Sequence, residues 1–126
     1  MRKVIATPNA PQAVGPYSQG IQAGTLIFTA GQLGIDPATG QFAGDVAAQT
    51  HQALHNLRAV LQATGSDLEH IVKTTIFVAD MGDFKTVNAV YGEYFPAAPP
   101  ARSTVEVAAL PLGGLVEIEA IALLPE

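Results

Sequence analysis

Arg102 is one of only six basic residues in a chain of 126. It stands in Pro99-Pro100-Ala101-Arg102-Ser103-Thr104-Val105-Glu106-Val107, which reads as a strand over Arg102 to Ala108. Strand alternation puts Arg102, Thr104 and Glu106 on one face and Val105 and Val107 on the other. A guanidinium is a planar fork that grips a carboxylate or phosphate through two parallel hydrogen bonds. The same group could instead close a structural salt bridge to a glutamate. Glu117 and Glu119 lie in Val116-Glu117-Ile118-Glu119-Ala120-Ile121-Ala122-Leu123, two carboxylates on one face of an otherwise apolar strand. A desolvated carboxyl there has a raised pKa and can act as acid or base near neutral pH. On an edge strand both would simply face solvent. Their spacing does not make two walls of a sugar cleft, and the chain has no tryptophan for sugar stacking, so glycoside hydrolysis fits poorly.

Three further residues stand out. On a helical wheel Asn88 falls between Phe84 and Phe95, inside an apolar stripe. It is either a satisfied core amide or a side chain aimed into a pocket. Tyr17 sits in the Gly/Pro-rich Gly15-Pro16-Tyr17-Ser18-Gln19-Gly20, where a phenol can anchor the loop or bond a ligand. Gly31, inside Thr29-Ala30-Gly31-Gln32, marks a bulge or a close approach to the backbone. His51 and His55 have the spacing of helix-borne metal ligands, but share a face with Arg58 and Gln62 opposite the apolar stripe. They are expected to be solvated, and no metal site is expected. Phosphate-binding glycine loops, the nucleophile elbow and the dinucleotide fingerprint are absent from the sequence.

The elements that must position these residues are short and punctuated by 12 glycines and nine prolines. Val4-Ile5-Ala6 is a candidate first strand, followed by an irregular stretch from Pro8 to Gly20. Thr25 to Leu33 reads as a strand. Asp36-Pro37-Ala38-Thr39-Gly40 is a turn. Asp45 caps a helix that Gly65 stops, with Val46, Ala53, Leu54, Leu57, Val60 and Leu61 at helical spacing. Ile71 to Ala79 is a strand; Asp83 caps a second helix in which Phe84, Val87, Tyr91 and Phe95 share a face, ended by Pro96. The last two strands are Arg102 to Ala108 and Leu115 to Leu124, linked through Gly113-Gly114.

The order is that of a single α+β domain over residues 1–126, a mixed sheet with two helices on one face. Yet Leu26-Ile27-Phe28 and Ile76-Phe77-Val78 are apolar on consecutive positions, hence on both faces. A second copy of the chain is the economical cover, which predicts a homo-oligomer. Composition narrows the function: 48% apolar and 13% charged residues exclude disorder. A net charge of −5 argues against a phosphate-driven nucleic-acid binder. Without cysteine there is no disulfide, thiolate zinc site or cysteine nucleophile. Met1 to Pro8 breaks before a signal-type apolar core can form, and no run approaches the ~18 apolar residues of a membrane span. A cytoplasmic protein is the expectation.

With these segments in place, the chain resembles the YjgF/Rid family, most closely its reactive intermediate deaminase A branch. The matching segments are Gly15-Pro16-Tyr17-Ser18-Gln19, Gly31-Gln32, Ile71-Val72-Lys73-Thr74-Thr75, Asp83-Phe84 with Val87-Asn88, Pro100-Ala101-Arg102-Ser103 with Val105-Glu106-Val107, and Glu117-Ile118-Glu119-Ala120-Ile121-Ala122. Their order and spacing run over nearly the whole chain. The resemblance implies a chorismate-mutase-like fold, and a homotrimer whose sheets form a central barrel with ligand sites between subunits. It implies hydrolysis of 2-imino acids such as 2-iminopropanoate and 2-iminobutanoate, with their enamine tautomers, to 2-oxo acids and ammonia, with no cofactor or metal. Residue by residue, Arg102 matches the clamp on the substrate carboxylate and Glu117 the acid that positions the attacking water. Tyr17 and Asn88 match pocket residues, Gly31 a backbone donor, and the Thr104 carbonyl a further hold on the water.

Two departures matter. Ala30 stands where the branch often has serine, and Thr104 where many members have cysteine. The alternatives are a binding module for small carboxylates such as 2-oxo acids and, further off, an endoribonuclease or a chaperone-like oligomer.

Overall fold

A computed structural model describes residues 1–126. The strands are β1 (Arg2–Ile5), β2 (Gly20–Ala23), β3 (Leu26–Thr29), β4 (Gln32–Leu33), β5 (Ile71–Val78), β6 (Ala101–Glu106) and β7 (Val116–Leu123); the helices are α1 (Val46–Gln62) and α2 (Phe84–Glu93). They form one mixed sheet in the order β1-β2-β3-β7-β5-β6, with β4 beside β3 on β7. Only the β5–β6 pair is parallel, as its crossover through α2 requires. The α+β expectation holds.

Local chemistry explains most of the boundaries. Asp45 caps α1, its carboxylate accepting the Ala48 N–H at 2.9 Å. Gly65 supplies the left-handed turn that ends the segment, at φ +89°. Asp83 occupies the position before α2 but makes no side-chain cap. A 3-10 turn over Met81–Asp83 feeds that helix, and Asp80 accepts from Gly82 N–H instead. α2 stops at Glu93, two residues short of Phe95, because the residue before Pro96 is steered out of the α region. The strand expected over Thr25 to Leu33 is broken at Ala30-Gly31, where Ala30 N–H turns to the Gln19 carbonyl at 2.9 Å. β2 was not legible in the sequence; it pairs β3 through a turn at Gly24, φ +62°.

The two faces of the sheet differ. Ile27, Thr74, Ile76, Val78, Val116, Ile118, Ala120 and Ala122 are buried beneath the helices, against Ala53, Leu54, Leu57, Val60 and Leu61 of α1 and Val87 and Tyr91 of α2. On the other face Leu26, Phe28, Val105 and Leu123 are exposed. That is the uncovered apolar face the sequence pattern demanded.

Three buried amides tie the loops to this frame. Gln19 accepts Thr7 N–H and donates to the Thr7, Ala10 and Pro11 carbonyls. Gln49 accepts Leu115 N–H and donates to the Gly44 carbonyl. Asn56 donates to the Leu33 and Ile35 carbonyls at 3.0 and 2.8 Å. Asn56→Leu orphans both acceptors, so unfolding free energy should drop by about 2–4 kcal/mol. Urea melts would show a lower midpoint at unchanged slope; an unshifted midpoint would mean that water satisfies those carbonyls.

Candidate functional site

Glu117 lies on β7, an interior strand, which removes the reading of a solvated edge carboxylate. It points to the open face, opposite Leu33 of β4 and Phe77 of β5. A Cβ on Gly31 would stand 2.7 Å from Glu117 Cδ, so the glycine is what lets the carboxyl seat against the backbone. Glu117 makes no hydrogen bond or ion pair within the chain. Burial, and then the neighbouring Glu119 carboxylate on the same face, push its carboxyl above the ordinary carboxylate range. Tyr17, exposed on the loop that Gln19 fastens, joins Gly31, Leu33, Leu112 and Glu117 around a cleft of about 580 Å³.

Arg102 is the second residue of the edge strand β6, in register with Thr74 of β5. Thr74 faces the helices, and so does Arg102. Its guanidinium lies 5.0 Å from the Tyr91 ring centroid and 5.6 Å from that of Phe84. The Tyr91 hydroxyl is fixed by Thr74 Oγ1 at 2.7 Å. No carboxylate pairs with Arg102; the ion pairs are Arg58–Asp67 and His70–Glu69. The salt-bridge reading of Arg102 is therefore excluded within the chain, and a charged fork is left on an aromatic shelf with its donors free.

Asn88 is exposed, not a core amide. The buried arc of α2 runs through Val87, Val90 and Tyr91, and Asn88 sits past its rim on the Phe84 side. Thr104 lies two residues beyond Arg102 on the same face, and its Oγ1 is buried with no partner. The Val107 N–H bonds the Val78 carbonyl, so strand alternation leaves the Thr104 amide and carbonyl on the free edge of β6.

The expected site residues thus fall into two groups. Tyr17, Gly31 and Glu117 meet at the cleft on the open side; Asn88, Arg102 and Thr104 gather on the helix side of the sheet edge. β5 separates β6 from β7, about 10 Å at the usual strand spacing, and Arg102 and Glu117 face opposite ways. One small molecule cannot touch both within a single chain.

His51 and His55 are not simply solvated. His51 Nδ1 and His55 Nε2 lie 2.7 and 3.0 Å from the Tyr94 hydroxyl, which ties α1 to the end of α2. Burial, with Arg58 and His51 nearby, lowers the His55 pKa. No group of three or more potential ligands gathers for a metal, and no helix is long and apolar enough to cross a membrane.

Sequence reasoning missed the aromatic shelf under Arg102 and the buried amides. Gln49 and Asn56 are seven apart on the apolar side of α1, a signal that was readable. Leu112 carried none, since left-handed backbone is not expected of leucine.

The model of the family described as Endoribonuclease L-PSP matches residues 7–124. Protein DfrA of Myxococcus xanthus is 55% identical, with 96% of this chain and 95% of that protein covered. The 2-iminobutanoate/2-iminopropanoate deaminase of Escherichia coli K12 is 53% identical over 97% of this chain and 98% of its own length. The crystal structure of E. coli TdcF with bound serine superposes with a TM-score of 0.94 at 43% identity, covering 98% of this chain and 99% of that one.

Proposed function

The chain belongs to the Endoribonuclease L-PSP (YjgF) family, and we propose that it hydrolyses small 2-imino acids to 2-oxo acids and ammonia. The observation that carries this reading is Arg102, a guanidinium oriented by two rings and unpaired by any acid of its own chain. Such a fork fits a small carboxylate, the group that a 2-imino acid carries. The site is composite: Arg102, Asn88 and Thr104 of one copy face Tyr17, Gly31 and Glu117 of the next. The exposed apolar face of the sheet supports that assembly, which we propose to be a homotrimer closed around its sheets.

The chemistry follows from these roles. Arg102 and the Gly31 N–H hold the substrate carboxylate. The Thr104 carbonyl and Glu117 hold a water against C2 of the imine. The water oxygen bonds to C2 of the protonated imine, and the C=N π pair moves to its nitrogen as a lone pair. Glu117 takes the water proton and returns it to the amino group of the carbinolamine. The hydroxyl oxygen then forms the C=O bond and gives its proton to Glu117 as the C–N bond breaks and ammonia leaves, so one water is consumed for each ammonia released. Only proton transfers are needed, which general acid–base catalysis supplies without a cofactor.

A binding module for 2-oxo acids is the second reading; Ala30, which offers no hydroxyl to a ligand, favours it. The family description names a ribonuclease, but a net charge of −5 and six basic residues make a poor phosphate track. The test is direct. An amino-acid oxidase generates 2-iminopropanoate or 2-iminobutanoate in situ, and semicarbazide traps what survives. The protein should lower the trapped product; an intact oligomer that leaves it unchanged would be a binding module.

A further inference from the structure

Leu112 is the only residue other than glycine with positive φ, at +59°. Left-handed backbone is unfavourable for leucine, and glycine would take it freely. Core burial does not compensate, because the Leu112 side chain is 78% exposed. Its loop is nonetheless firmly held. Gly113 and Gly114 donate to the Leu110 and Pro111 carbonyls at 3.3 and 3.1 Å, and Leu115 N–H donates to Gln49 Oε1 at 3.0 Å. A Cβ on Gly114 would stand 2.8 Å from Leu33 Cδ2, so that backbone is seated against β4.

Large exposed apolar side chains otherwise gather mainly on the open sheet face. Leu112 does not; with Val14, 81% exposed, it lines the Glu117 cleft. We propose that Leu112, with Val14, is a specificity-determining rim that receives the substrate's side chain and favours 2-imino acids with longer aliphatic groups. This rests on the deaminase reading. Strained backbone held for an exposed side chain is the pattern of a functional position rather than a packing one.

The test compares 2-imino-4-methylpentanoate with 2-iminopropanoate, both made by the oxidase, in wild type, Leu112→Gly and Leu112→Asn. Both replacements tolerate the left-handed backbone, so the fold should hold and Tm should not fall. The ratio of kcat/KM for the larger imine over the smaller should drop about five- to tenfold in both variants. An unchanged ratio overturns the proposal. So does an equal loss on both imines accompanied by dissociation in sedimentation, which would make Leu112 an interface residue. A wild type inactive on both imines overturns the deaminase reading and this proposal with it; activity of the wild type separates that failure from failure of the rim alone.

Discussion

Arg102→Ala should lower kcat/KM for 2-iminopropanoate by about a hundred- to ten-thousand-fold while leaving the fold intact. Two charge-assisted hydrogen bonds are lost, each worth about 1.5–3 kcal/mol, and each ~1.4 kcal/mol is tenfold in rate. The fold survives because the guanidinium makes no hydrogen bond or ion pair within the chain; only its stacking on Tyr91 and Phe84 goes, at roughly 1 kcal/mol. Arg102→Lys should recover a minor part of the rate, since a point charge attracts the carboxylate without the fork that orients it. Full activity in Arg102→Ala would end the clamp assignment.

The same variant tests the division of the site. Arg102→Ala and Glu117→Gln are each defective in one half. If neighbouring copies supply the halves, unfolding and reassembling the two together regenerates intact sites at about a quarter of the interfaces. If each chain supplies both, mixing restores nothing. The register argues for the first outcome, because Arg102 pairs with Thr74 on the helix side while Glu117 pairs with Phe77 on the open side.

This division marks how far the sequence could be read. The stripe of α1, the apolar runs of β5 and β7 and the uncovered face were legible, because period and two-sided hydrophobicity are local properties. The side of the sheet to which Arg102 turns is not local. Alternation groups it with Thr104 and Glu106, but only the parallel pairing with β5 decides that this group faces α2. Gly31 did signal a bulge or close approach within the strand, but not what approaches it, since Gln19 and Glu117 are both distant in sequence. The core-amide alternative for Asn88 fails because α2 is ten residues long and rolls its contact arc toward Val90, leaving Phe84 at the edge. Residue types announced the chemistry; long-range pairing set its geometry.

Glu117→Gln should be the second large loss, about a hundred- to ten-thousand-fold in kcat/KM, the usual worth of a positioned acid–base group. The pH dependence identifies the role. Glu117 must be ionised to take a proton from water, and burial with Glu119 raises its pKa. Activity should therefore fall as pH drops through a value above the ordinary carboxylate range. Glu119→Gln removes the like charge and should move that limb downward, while burial still holds it above the ordinary value. Glu117→Gln should abolish it; a limb that persists there belongs to another group. Stability should run the opposite way. With its folded pKa raised, Glu117 favours folding when protonated, and that contribution is lost as pH rises from the ordinary carboxylate value through the folded one. Above that window the Gln variant should melt higher than wild type. Gly31→Ala separates charge from position: its Cβ would sit 2.7 Å from Glu117 Cδ and displace the carboxyl without altering its chemistry. A displacement near 1 Å costs about a hundredfold. Such a loss, with the acid limb retained, would place the catalytic requirement in the seat that Gly31 gives Glu117 as much as in the carboxylate itself.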